Sequence, residues 1–252
     1  MISKNKIKYI HSLELKKNRN KEEVFVAEGH KVVGDLLPLQ SPTLIVATTE
    51  WLASNSLPQD TEVIEVSEEE LRKVSFLQHP QQVLAIFKQQ EDPHFASGID
   101  TTQLSLALDG VQDPGNLGTI IRIADWFGIR HIYCSTDTAD VYNPKVVQAT
   151  MGSIARVSVE YGDLNALVSS LDKDMPVYGT FLDGQNIYSQ PLEGHGLIIM
   201  GNEGKGISPT LAQKVNRRLF IPNYPPGQPT AESLNVAIAT AITCAEFRRQ
   251  MA

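Results

Sequence analysis

Apolar and polar positions alternate along the chain in two regimes. The first ninety residues predict short elements in quick succession. They begin with a basic amphipathic helix, followed by the strand Val24-Phe25-Val26-Ala27-Glu28, a helix from about His30, and strands at Leu44-Ile45-Val46-Ala47 and Val63-Ile64-Glu65-Val66. Ser67-Glu68-Glu69-Glu70 has capping-box spacing and predicts a short helix, before the strand Val83-Leu84-Ala85-Ile86-Phe87. This alternation predicts a small α/β sandwich over residues 1–90. Residues 88–98 hold Pro93 and Gly98 without apolar periodicity and read as a linker, set at 91–103. Beyond it, apolar strands at 104–108, 131–134, 157–159, 177–181, 197–200 and 219–221 are spaced by helices over 118–127, from about Asn143-Pro144, and from Ser233. Strands separated by helices predict a mostly parallel sheet covered on both faces, one α/β domain over 104–252. Ligands of such sheets bind beyond the carboxyl ends of the strands, so the loops there are where chemistry is expected.

Three of those loops are unusual. Leu108-Asp109-Gly110-Val111-Gln112-Asp113-Pro114-Gly115-Asn116-Leu117-Gly118 combines three glycines with a proline and leads into a helix carrying Arg122. Asn116 and Arg122 are either site groups or a turn residue and an arginine paired with a surface acid. Gly201-Asn202-Glu203-Gly204-Lys205-Gly206-Ile207-Ser208 follows an apolar strand; Gly206 stands where a phosphate loop requires Ser or Thr, so triphosphate binding is excluded. Its glycines are expected to let the backbone approach a flat ligand. Glu203 is a site carboxylate or a helix-terminus acid, and Ser208-Pro209 opens the next helix. The third loop, proline-rich from Ile221 to Ser233-Leu234-Asn235, runs into a helix of small residues whose polar start faces the crevice, with Ser233 also expected to serve as its cap.

Composition narrows the classes. No run approaches the roughly 20 apolar residues of a membrane span, and the amino end lacks the apolar stretch of a signal peptide, so a cytoplasmic protein is expected. Cys134 and Cys244 lie within apolar segments, and the six histidines lack ligand spacing; neither disulfide nor metal is expected. The net charge of −7 hides polarity: residues 1–21 hold seven Lys/Arg against Glu14 alone, and residues 32–70 hold eight acidic residues and no base. That basic run is a solvated helix face or a polyanion contact.

Asn116-Leu117-Gly118-Thr119-Ile120-Ile121-Arg122, Gly201-Asn202-Glu203-Gly204 and Ser233-Leu234-Asn235-Val236-Ala237, in this order, resemble the three signature motifs of the SpoU (TrmH-like) class of RNA ribose 2'-O-methyltransferases. The amino-terminal part resembles the ribosomal-protein-L30-like (L30e-like) substrate-binding domain that many members carry. The longer, proline-rich stretch before Ser233 departs from the pattern. The resemblance implies a trefoil-knotted (SPOUT) parallel-sheet α/β domain, an exception to unknotted topology, and a homodimer packed through the knot. It implies S-adenosylmethionine as methyl donor and an RNA substrate, rRNA rather than tRNA. The catalytic set is then Asn116, Arg122, Glu203, Ser233 and Asn235. Groups near Thr180, Gly201, Ile221 and Leu234 hold the cofactor, and Lys16, Lys17 and Arg19 contact RNA phosphate. A guanidinium is a poor proton acceptor, so Arg122 is expected to stabilise the developing alkoxide and clamp a phosphate. The competing reading is a catalytically idle RNA-binding or ribosome-assembly factor on the same fold.

Overall fold

The computed structural model describes residues 2–90, 99–225, 228 and 230–251. Positions 91–98 of the expected linker, and 226, 227 and 229 of the proline-rich loop, lie outside them. The chain begins with α1 (Lys4–Ser12), α2 (Lys16–Glu22), β1 (Val24–Glu28), α3 (His30–Leu36), β2 (Leu44–Ala47), α4 (Thr49–Ala53), β3 (Glu62–Glu65), α5 (Glu68–Arg72) and β4 (Val83–Lys88). It continues with β5 (Leu104–Asp109), α6 (Pro114–Trp126), β6 (His131–Ser135), α7 (Pro144–Ala149), β7 (Ser158–Gly162) and α8 (Leu164–Ser169). The last elements are β8 (Val177–Asn186), β9 (Gly196–Gly201), α9 (Pro209–Ala212), β10 (Arg217–Phe220) and α10 (Val236–Arg249).

These elements form two compact units, Met1–Glu91 with Asp140–Ala155, and Asp92–Ala139 with Arg156–Ala252. The segment 140–155 therefore groups with the first unit, although its position in the sequence suggested the second. The cause is side-chain packing. Tyr142 stacks on Phe25 with ring centroids 4.9 Å apart, and α7 lies against β1.

In the first unit the strand order is β1-β4-β2-β3, antiparallel except for the β2–β3 pair. All of β1 is buried, with α2, α3 and α7 lying against it. Ile10, Leu13, Val24, Val26, Leu44 and Ile86 belong to the core on one face. The capping box forms as expected, Ser67 and Glu70 each bonding the other's backbone N–H. The single basic helix expected at the amino end is two. The carbonyls freed at the end of α1 are satisfied by side chains of α2 instead of a continuing helix: Asn18 donates to Ser12 O at 2.7 Å, and Arg19 to Leu13 O and Glu14 O at 2.8 and 2.7 Å.

That arrangement corrects one expectation. Arg19 is only 1% exposed, and its guanidinium also pairs with the Asp140 carboxylate, so it is an internal strut and not a phosphate contact. Lys16 and Lys17 on the same helix are exposed.

The second unit is built on a six-stranded sheet, β10-β8-β9-β5-β6-β7, parallel at every pair. The chain runs outward from β5 through β6 to β7, then returns on the other side of β5 with β8 and β9. The order thus switches between β5 and β9. Their register sets Asp109 opposite Gly201, so two of the three unusual loops leave the sheet side by side. α10 packs against α6, which brings the start of the third loop's helix to the same end.

Candidate active site

The first loop becomes helical earlier than its glycines predicted. Asp113 caps α6 by accepting the Asn116 N–H at 2.8 Å, and Pro114 occupies the first turn, where a missing N–H costs nothing. Asn116 therefore sits inside the first turn. Gly110, with φ of 74°, bends the chain before it; its N–H donates to Ser135 Oγ at 2.8 Å and its carbonyl accepts the Asn202 amide at 2.6 Å.

The second loop is closed by its own backbone. Asn202 and Gly206 exchange N–H···O bonds of 3.0 and 2.9 Å, while Asn202 Oδ1 accepts the N–H groups of Gly204 and Lys205, both at 3.0 Å. A Cβ on Gly201 would lie 2.2 Å from backbone atoms of Gly206 and Ile207, so this glycine is required by the loop's own closure before any ligand is considered. Gly206 takes φ of 68°, a left-handed conformation that favours glycine. Ser208 begins α9 without a side-chain cap bond; its N–H instead donates to Asp109 Oδ2 at 2.6 Å.

The third loop corrects the expected cap. α10 starts at Val236, and Asn235 is its cap, accepting from Ala237 and Ile238 N–H at 2.9 and 3.3 Å. Ser233 is exposed two residues earlier. With Asn235 Oδ1 committed to the helix, its Nδ2 donates to Asn116 Oδ1 at 2.9 Å, and Asn116 Nδ2 donates to Glu203 Oε1 at 3.0 Å. Glu203 also accepts the backbone N–H groups of Asp113 and Gln112 at 3.2 and 3.3 Å. Partial burial works against its charge, but the bonds from Asn116 and the backbone outweigh it and hold the carboxyl below its ordinary range. One directed relay, Asn235 to Asn116 to Glu203, thus ties the three loops together.

Beside it opens a cavity of about 820 Å³, whose walls include Thr180, Gly201, Glu203, Ile221, Ser233 and Leu234. Phe181, Met200 and Phe220 add apolar surface, and the guanidinium of Arg218 lies 3.5 Å from the centre of the Phe181 ring. The size is that of a small-molecule site, with apolar walls for a flat ring and polar groups at the rim. Arg122 is not brought into this cluster. Among the described residues it has no hydrogen-bond or ionic partner and does not line the cavity; it is exposed on the outer face of α6. Asn202, Asp109 and Asp113 hold the site together, and sequence reasoning gave them no role. The turn chemistry of Asn and Asp beside glycines was the available signal. Among the described residues no group of three or more His, Cys, Asp or Glu is gathered to hold a metal, and no helix is long and apolar enough to cross a membrane.

Sheet order and cavity make the second unit an open α/β structure with a ligand crevice at the carboxyl ends of β8, β9 and β10. Residues 103–245 match the SpoU rRNA Methylase family, and residues 4–85 match the MRM3-like substrate binding domain; the chain belongs to the SpoU rRNA methylase family. It is 34% identical over 248 residues to the 23S rRNA (guanosine(2553)-2'-O)-methyltransferase RlmP of Bacillus subtilis (strain 168), covering 96% of each chain. Among solved structures it is similar to a TrmH-family protein from Porphyromonas gingivalis, at 44% identity and TM-score 0.88 over 99% of each chain. It is also similar to the AdoMet-bound rRNA methyltransferase from Sinorhizobium meliloti, at 31% identity and TM-score 0.87, covering 100% of this chain and 97% of the other.

Proposed function

We propose that the protein transfers the methyl group of S-adenosylmethionine to a ribose 2'-hydroxyl of structured RNA, 23S rRNA in preference to tRNA. The observation that carries this is the relay from Asn235 through Asn116 to Glu203, which joins the three motif loops beside a cavity of nucleoside-ligand size. The names of the RlmP relative and of the AdoMet-bound neighbour support the same substrate and cofactor.

Thr180, Gly201, Ile221 and Leu234 all line the cavity and are the residues that would hold the cofactor, with Ser233 at its rim. When bound, S-adenosylmethionine supplies an electrophilic methyl group. Positioning of the ribose against it is the larger part of catalysis. Glu203 is a positioning residue: four donors, from Gln112, Asp113, Asn116 and Asn202, occupy its oxygens, which makes it a weak proton acceptor and a firm anchor for the Asn116 amide. Arg122 stabilises the developing 2'-alkoxide and clamps a neighbouring phosphate, while the proton leaves to a phosphate oxygen or water.

That role needs Arg122 to meet RNA or a second copy of the chain, and a homodimer supplies the setting. Arg122 and Trp126 lie one turn apart on the outer face of α6, Trp126 is 84% exposed, and Ile238 on α10 is 52% exposed. An exposed Trp one turn from Arg122 is a large aromatic group of the kind that is enriched at interfaces. A trefoil knot, with the C-terminal segment threaded through a preceding loop, belongs to the same reading.

The test is incubation of the protein with methyl-labelled S-adenosylmethionine and total RNA. Label should appear in alkali-resistant dinucleotides of the 23S rRNA fraction, because a 2'-O-methyl group blocks strand cleavage. Bound cofactor with no transfer to any RNA would favour the idle scaffold, and label confined to tRNA would overturn the substrate assignment.

A further inference from the structure

The first unit contains a cavity of its own, about 300 Å³, lined from β1, from the turn after α5 and from α7. Glu28 is its acidic group and is 6% exposed. The carboxylate accepts the Ser75 hydroxyl and, at 2.8 Å, the Phe76 N–H. A carboxylate has about four acceptor sites, so these two bonds leave others open. Val26, Phe76, Pro144 and Ala149 make apolar walls, and α7 adds Lys145 and Gln148. Burial pushes the Glu28 carboxyl up from its ordinary range against the pull of its two hydrogen bonds. The proposed methyl transfer has no use for this residue.

Bracing the turn at Ser75 and Phe76 accounts for two of the acceptor sites but not for the space beside them. Protein interiors are close-packed, and a carboxylate that served only as a brace would leave no cavity of this size beside it. We propose that this cavity receives one unpaired guanine of the RNA substrate. The Watson–Crick edge of guanine carries N1–H and N2–H side by side, a donor pair matched to the open acceptor sites of Glu28. The base ring would lie among Phe76, Pro144 and Ala149, and the exposed Lys145 would meet its phosphate. A cationic peptide side chain would also satisfy Glu28, but Lys145 at the cavity and the exposed Lys16 and Lys17 on the same unit favour a polyanion. The match of residues 4–85 to a substrate binding domain is in keeping with this use. The proposal rests on RNA being the substrate.

The experiment is fluorescence anisotropy of the full chain with labelled pentaribonucleotides: UUGUU, UUUUU, and UUIUU, in which inosine lacks the N2 amino group. The guanine probe should bind about tenfold or more tighter than the uridine probe, with inosine between them. Ala149→Phe fills the cavity without touching the bonds of Glu28, and Glu28→Gln sets an amide donor against the guanine donors. Each should bring the guanine preference to within about twofold while S-adenosylmethionine affinity, read by calorimetry, stays unchanged. Equal binding of the guanine and uridine probes by the unaltered protein, or a preference that survives Ala149→Phe, overturns the proposal. So does displacement of the guanine probe by a penta-arginine peptide through the cavity in the unaltered protein but not in Ala149→Phe, without any base preference. Failure of the unaltered protein to bind S-adenosylmethionine would count against the methyltransferase reading alone.

Discussion

Asn116 and Glu203 are joined by a 3.0 Å hydrogen bond across 87 positions of sequence, and the amide that makes it is held in one orientation by Asn235. Neither end is free to turn without breaking a second bond: Asn235 caps α10, and Glu203 receives backbone N–H groups of Gln112 and Asp113. A relay of this kind acts as a unit. In a double-mutant cycle of Asn116→Ala and Glu203→Gln on kcat/KM, the coupling is expected to be about 1–2 kcal/mol. Additive effects would show that the two residues act separately.

The same bonds set a pH dependence of stability. The folded-state carboxyl of Glu203 lies below its ordinary value of 4.5, so the unfolded chain binds the proton more readily. The stabilisation is fully present above that value and is lost as pH falls through the folded one. In urea unfolding at about pH 5.5 and about pH 3.5, the unaltered protein should lose more stability than Glu203→Gln does. Parallel losses would remove Glu203 from the acid limb.

The glycines of the second loop separate by geometry. A methyl group on Gly201 meets the backbone of Gly206 and Ile207 at 2.2 Å, whereas one on Gly204 finds only Asn202 Oδ1 at 3.8 Å. Gly201→Ala should lower Tm and weaken S-adenosylmethionine binding by about a hundredfold, while Gly204→Ala should bind within about threefold of the unaltered protein. Titration calorimetry of both variants decides it, and an undisturbed Gly201→Ala protein would contradict the closure described for this loop.

Arg122 is exposed and outside the relay, so its replacement should spare folding and cofactor binding. Arg122→Lys keeps the charge and loses the fork. It is expected to retain less than about a tenth of kcat, and Arg122→Ala less than about a hundredth. Near-full turnover by the lysine variant would mean that charge alone suffices.

Charge on α2 divides into two functions. Lys16 and Lys17 are exposed, and replacing both by Ala should reduce the slope of log affinity for RNA against log salt by roughly 1.5 to 2, with Tm unchanged. Arg19→Ala strands the Asp140 carboxylate and the carbonyls of Leu13 and Glu14, and should cost on the order of 3 kcal/mol of stability. A stable Arg19→Ala protein with weakened RNA binding would reverse this assignment.

Trp126, 84% exposed on α6, is the natural anchor of the proposed dimer. Trp126→Glu should raise the dimer dissociation constant at least about tenfold in sedimentation equilibrium. An unaltered monomer–dimer balance would move the interface elsewhere.

Local chemistry was legible before folding. Buried runs such as Leu44–Ala47 and Gly196–Gly201 declare themselves by short-range hydrophobic pattern, and the Ser67 capping box by spacing alone. So did the three loops and their family resemblance, because turns need glycine, proline, Asn and Asp at fixed offsets. Three matters were decided only by the fold. Asp109 opposite Gly201 is a matter of sheet register, and it brings Asn116 to Glu203. The cap of α10 lies at Asn235, two residues past Ser233, because Asn235 alone bonds both the helix and Asn116. The burial of Arg19 depends on Asp140, 121 positions away, in a segment that packs on the first unit. Each rests on contacts between residues far apart in sequence, where burial and pairing energies outweigh local propensity, and no window of roughly 11–18 residues contains both partners.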